Sequence, residues 1–163
     1  MKTFAQASAI TLTLIASAAS AQAVRIEKNM SLELANQVAA ATVSACAANG
    51  HNVTAAVVDR AGTLRALQRA DNAGPHTVAA AQAKAYTSAS ARNATSAMLE
   101  GVQKNPGAQT LVDIPGFLVL GGGVPVRVGN EVIGAVGVAG APGGHLDEQC
   151  ANAALAKVTD LLK

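Results

Sequence analysis

The stretch from Leu118 to Cys150, LVLGGGVPVRVGNEVIGAVGVAGAPGGHLDEQC, runs a glycine-dense loop, an apolar hairpin and a helix start together without a break. Val124, Val126 and Val128 alternate with Pro125 and Arg127, the period of a half-buried strand, and Gly129-Asn130 supplies turn residues that accept positive φ. Glu131 to Ala139 is the second arm, with its apolar surface on Val132, Ile133, Val136 and Val138. Gly134 and Gly137 within that arm, and Gly121-Gly122-Gly123 before the hairpin, lack side chains and admit a helix, a backbone or a flat ligand at close range. A nucleotide phosphate site is not expected, since GxxxxGK[ST] is missing and Gly134, Gly137 and Gly140 recur by threes instead of as GxGxxG.

Working outward, Phe117–Leu120 reads as a strand leading into the glycine loop and Leu146–Leu162 as a closing helix striped by Leu155, Val158 and Leu162. Asp147 and Glu148 fall in that helix's first turn and Lys163 at its far end, charges that suit the helix dipole. Near the start of the chain, Ser31 is placed to cap a helix through Leu32, Ala35, Val38, Ala39, Thr42, Val43 and Cys46, which Asn49-Gly50 ends. Val53–Val58 and Thr63–Gln68, separated by Asp59-Arg60-Ala61-Gly62, form a hairpin. Pro75 opens a helix over His76–Ser90, with Val78, Ala79, Ala81 or Gln82, Ala85 and Tyr86 available to face the sheet. A shorter helix spans Asn93–Lys104, and Gln109–Pro115 is expected to be loop. This order gives an α+β domain with an antiparallel sheet of about five strands packed with helices.

Met1-Lys2, the apolar run from Phe4 to about Ala19 and the small residues up to Ala23 have the pattern of a secretory signal peptide, so residues 1–23 are expected to be a leader. Residues 24–163 then form a single domain, expected to be periplasmic or secreted, and no segment reaches the roughly 20 apolar residues of a spanning helix. Alanine dominates and aromatic residues make up 2% of the chain, so single-stranded nucleic acid has almost nothing to stack on. The formal net charge of +2 comes from scattered cations, which form no patch for nucleic acid or an anionic membrane. Cys46 and Cys150 lie near the end of the first helix and in the first turns of the last, and a bridge and two buried thiols are both open.

Nucleophilic and zinc-hydrolytic chemistry find no support, because GxSxG and HExxH are missing and His51, His76 and His145 are scattered. A single axial ligand in an apolar cleft asks for less. Haem takes one such ligand, small or apolar walls against the macrocycle, and a cation or two for its propionates. His76, at a helix start beside Arg69, and His145, in the loop that ends the apolar hairpin, are the candidate iron ligands. Lys84 is a candidate anion contact, against the alternative of a solvated helical face. Gly122 and Gly123 are candidates for a close approach to the macrocycle.

VTAAVVDRAGTLRALQRAD, then AxxKAYTSA over Ala81–Ala89, then GGGVPV over Gly121–Val126, and then EVIGAVGVAGAPGGHLDEQCANAAL resemble, in order and spacing, the GlcG/HbpS family of haem-binding proteins, which is related to the C-terminal domain of PduO. The resemblance covers essentially all of the chain after the leader. It implies a profilin-like fold with a five-stranded antiparallel sheet, homo-oligomeric assembly and haem binding, with haem degradation in some members. The segments Arg69–Lys84 and Gly121–Gly144 match its shared motifs and mark the expected site. An exported protein that sequesters, senses or slowly degrades haem is the expectation; a protein acting on a small carboxylate or a corrinoid is the alternative.

Overall fold

A computed structural model describes residues 23–163; the leader expected over 1–23 lies outside these residues except for Ala23. Four helices and four strands follow in the order α1 Leu32–Ala48, β1 Thr54–Asp59, β2 Leu64–Arg69, α2 His76–Ala91, α3 Thr95–Lys104, β3 Gly123–Val128, β4 Glu131–Ala139 and α4 Gly144–Lys157. Both expected hairpins form, and β1 pairs with β4 between them, giving the antiparallel order β2-β1-β4-β3. The connection from β2 to β3 carries α2 and α3.

Strand alternation divides the molecule into two layers of helix about one sheet. On β4, Val136 and Val138 join Val53, Val57, Val124 and Val126 in the main core with Leu34, Val38 and Cys46 of α1 and Cys150 and Ala151 of α4. Ala135 and Ala139, on the opposite parity, pack with Ala81, Ala85 and Ala89 of α2. Gly137 sits between them, where a Cβ would come within 2.1 Å of the Ala81 carbonyl oxygen and 2.5 Å of the Ala85 nitrogen. Only glycine lets α2 lie this close to the sheet.

The expected helix cap is in place, with the Ser31 hydroxyl accepting from the Leu34 N–H at 3.1 Å. The open question of the cysteines is resolved as a bridge: Cys46 of α1 and Cys150 of α4 form a disulfide across 104 residues of sequence.

Four expectations are corrected. Phe117–Leu120 is not a fifth strand, because side chains of the flanking helices satisfy its backbone. The Leu118 N–H donates to Thr87 Oγ1 at 2.8 Å, and the Leu120 carbonyl accepts from Thr95 Oγ1 at 2.7 Å. The expected loop before it is mostly a 3₁₀ turn over Pro106–Asp113. The last helix ends at Lys157 and only a short 3₁₀ turn, Thr159–Leu161, follows, so Lys163 lies beyond any helix end. The sheet-facing residues of α2 also shift. Thr77, Ala81, Lys84, Ala85, Ser88 and Ala89 are buried, while Ala79 is exposed and Tyr86 is 37% exposed.

Candidate functional site

The expected site residues separate into a buried frame and an exposed rim. Lys84 was expected to contact an anion or lie in solvent, and it does neither with an outside partner. Its ammonium donates to Asp147 Oδ2 at 2.8 Å and to the Val138 carbonyl at 2.8 Å, so a single side chain ties α2 to β4 and α4. Only 2% of the Lys84 side chain and 4% of that of Asp147 are exposed. Asp147 Oδ1 accepts from the Ala141 N–H at 3.0 Å, which pins the loop between β4 and α4 to the same carboxylate. Burial pushes the Asp147 carboxyl above the usual carboxylate range, against the hydrogen bond and charge of Lys84, which pull it down.

Gly122 and Gly123 serve this frame. Gly122 has φ +117, and a Cβ there would lie 2.7 Å from the Val138 oxygen, 2.8 Å from Asp147 Cβ and 3.0 Å from Lys84 Nζ. A Cβ on Gly123 would lie 2.4 Å from the Lys84 carbonyl oxygen. Both glycines are buried, and the close approach they permit here is to α2 and α4. Thr95 holds the loop from the other side, its Oγ1 accepting from the Gly123 N–H at 2.8 Å while donating to the Leu120 carbonyl.

Arg69 does not join the site. It ends edge strand β2 and donates to the Ala73 carbonyl in its own turn. His76, the first residue of α2, and His145, the second residue of α4, are both exposed. Each imidazole stands over a glycine: a Cβ on Gly74 would be 2.7 Å from His76 Cε1, and one on Gly143 would be 2.8 Å from His145 Nδ1 and Cε1.

An opening lies beside each imidazole. A cavity of about 280 Å³ is lined by His76, Ala80, Lys84, Leu120, Ala139–Gly144 and Asp147. Another, of about 300 Å³, is lined by His145, Ser96, Leu99, Glu100, Gln103, Leu120, Gly121 and Gly144. Leu120 and Gly144 line both, so the two adjoin. Gly144, which lines both, packs against Gly121 of the second, where a Cβ on Gly144 would fall 2.6 Å from the Gly121 oxygen. Leu120, Thr95 and Asp147 lie outside the segments expected to form the site, whereas Gly144 closes the expected segment Gly121–Gly144. The helical spacing of Ala81, Lys84, Ala85 and Ser88 was the available sign that Lys84 faces inward and needs a partner.

The comparisons with known proteins bear on the family and the fold. The family model described as "Haem degrading protein HbpS-like" matches residues 30–156. Protein GlcG of Escherichia coli strain K12 is 39% identical over 109 residues, covering 67% of this chain and 80% of that protein. Among solved structures, a double mutant of Streptomyces reticuli HbpS superposes with a TM-score of 0.79 at 38% identity, covering 90% of this chain and 98% of that one. The haem complex of PduOC, 24% identical with a TM-score of 0.70 over 78% of this chain and 94% of that one, shares the fold. With the family model spanning the domain from Met30 to α4 and the HbpS fold matched almost end to end, the chain belongs to the GlcG/HbpS family of HbpS-like proteins.

Proposed function

We propose that this protein is an exported haem-binding protein that sequesters, senses or slowly degrades haem, and that it binds haem in the adjoining cavities beside His76 and His145. The observation that carries the proposal is the shared wall of Leu120 and Gly144, with an exposed imidazole on either side. Each cavity alone is at the low end of the roughly 300–1,000 Å³ usual for small-molecule sites, so a macrocycle would need both. The His76 cavity is walled mainly by glycine, alanine, proline and leucine, the His145 cavity adds Ser96, Glu100 and Gln103 to Leu99 and Leu120, and the imidazoles are of the donor type that holds haem iron. The match of the family model and the HbpS structures supports haem as the ligand.

Bound haem would supply redox chemistry and oxygen activation. The chain's own residues do the rest. His76 or His145 would hold the iron, Leu120 would form part of the apolar wall, and the Lys84–Asp147 pair fixes the elements that carry both imidazoles. Lys84 is committed to Asp147 and Arg69 to Ala73, so neither cation is free to pair with haem propionates in this arrangement. The disulfide is at home in an oxidising compartment, which supports export to the periplasm or beyond. None of the described helices is long and apolar enough to cross a membrane.

Titration with haem is expected to give a Soret band that is lost or shifted in His76→Ala or His145→Ala. The size of each separate cavity favours, as a second reading, a small carboxylate. In that case the metabolite raises the melting temperature and haem leaves the absorbance unchanged.

A further inference from the structure

Glu148 stands apart from the Lys84–Asp147 frame. Its Oε1 accepts from Ser96 Oγ at 2.9 Å, which joins α4 to α3. Its Oε2 is buried and has no partner, the one such side-chain atom among the described residues. A buried carboxylate oxygen left without a donor carries its desolvation cost uncompensated, so an orphan of this kind calls for a donor that arrives by a local movement. His145 is one turn earlier on the same helix, on the same face by the i, i+3 rule. The two side chains line one cavity of about 220 Å³ together with Ser96, Gln149 and Asn152. The imidazole is exposed and stands over Gly143, where no side chain hinders its rotation. Glu100 of α3, on the wall of the neighbouring cavity, is the other carboxylate near His145, and it is exposed to solvent.

We propose that Glu148 is a positioning residue for His145, its Oε2 accepting a hydrogen bond from one ring N–H of the imidazole. The bond fixes which nitrogen carries the proton and leaves the other nitrogen, with its lone pair, facing the Leu120 cavity. Histidines that hold metals generally donate their second ring N–H to a carboxylate or carbonyl, which orients the ring and makes it a stronger donor. The inference rests on the proposed role of His145 as a haem ligand, but the bond itself exists or not in the protein without haem. Glu148 then has two duties on two oxygens: Ser96 anchors the carboxylate through Oε1, and Oε2 orients the ligand.

The test reads the tautomer of each histidine in the haem-free protein by ¹⁵N–¹H correlation at about pH 8, where free imidazole is neutral. His145 is expected in one fixed tautomer in the wild type and in Ser96→Ala, in two averaged tautomers in Glu148→Ala, and again in one in Glu148→Gln, which keeps an acceptor oxygen. Should Glu148→Ala fail to fold, the wild-type spectrum and Glu148→Gln still decide. Averaged tautomers in the wild type, or a single tautomer that survives Glu148→Ala, overturn the proposal. In the haem-loaded protein, Glu148→Ala is expected to raise the iron reduction potential relative to wild type. If no Soret band forms, the haem reading fails while the tautomer result still stands by itself.

Discussion

On one face of the sheet Val53, Val57, Val126, Val136 and Val138 meet α1 and α4, whereas on the other Ala56, Ala135, Gly137 and Ala139 meet α2. A fully buried valine contributes about 1.5–3 kcal/mol through area, and an alanine methyl under about 1 kcal/mol. The valine face therefore supplies most of the hydrophobic stabilisation, and the disulfide between α1 and α4 lies on that side. The alanine and glycine face gains little from area. Instead it places the backbone of α2 against the strands and buries polar groups, each with a partner: Thr54 with Thr77 at 2.7 Å, Lys84 with Asp147, and Thr95 with the glycine loop. Stability is concentrated in one layer and positional precision in the other, and the candidate site opens at the end of the second.

Substitution of Gly137 is the severest test of this difference. Gly137→Val is expected to abolish soluble folded protein, or to cost more than about 4 kcal/mol in denaturant unfolding, because the backbone of α2 has nowhere to go. Val136→Ala, its neighbour on the other face, is expected to cost about 1.5–3 kcal/mol. Equal costs at the two positions would erase the distinction between the layers.

Removing one member of the buried pair comes next. Asp147→Ala leaves the Lys84 ammonium uncompensated and is expected to destabilise by about 3–5 kcal/mol, whereas the double replacement Lys84→Met with Asp147→Leu recovers most of the loss. A cost below about 1 kcal/mol for Asp147→Ala would mean that the pair holds nothing. The carboxyl also predicts a pH dependence. Burial raises its folded value above the unfolded value of about 3.9, so the native state holds the proton more tightly in the window above that value. The stability of the wild type relative to Asp147→Asn should therefore fall as pH rises through that window and be fully present below it.

The disulfide has a smaller effect. Cys46→Ala with Cys150→Ala is expected to lose about 2–4 kcal/mol without altering the α2 layer, seen as a lower unfolding midpoint and an unchanged environment for Tyr86. A Tyr86 signal that changes with the disulfide would show that the two layers are not separable.

Local signals made much of this fold legible from the residues alone. Ser31 marked a helix start, and the turns Asp59-Arg60-Ala61-Gly62 and Gly129-Asn130 marked two hairpins, through chemistry that acts over a few positions. Phe117–Leu120 has the apolar composition of a strand, yet Thr87 and Thr95, distant in sequence, bond its backbone in place of a strand ladder. Lys84 and Asp147 are 63 residues apart, and surrounding alanines give the lysine the look of a solvated helical face. Asp147 has a sufficient local explanation in the helix dipole, which conceals the tertiary one. Gly122 and Gly123 advertise close approach, but the sequence does not say to what. His76 fell at a helix start as expected, whereas His145, expected in the loop after the hairpin, lies in the first turn of α4; the cavities beside them share Gly144, the end of the expected Gly121–Gly144 segment, and Leu120, which had no signature of its own.

The most direct measurement of where the ligand sits is a ¹H–¹⁵N correlation spectrum followed as gallium protoporphyrin IX, a diamagnetic stand-in for haem, is added. The expected shifts are confined to the start of α2 at His76–Ala80, to Leu120–Gly121, and to Ala139–His145. The valine face and the Cys46–Cys150 region should stay still. Shifts centred instead on the apolar shelf of Leu64, Tyr86 and Pro115, on the opening lined by Leu34, Val128 and Leu161, or on no residue at all, would contradict a porphyrin site on the alanine and glycine layer.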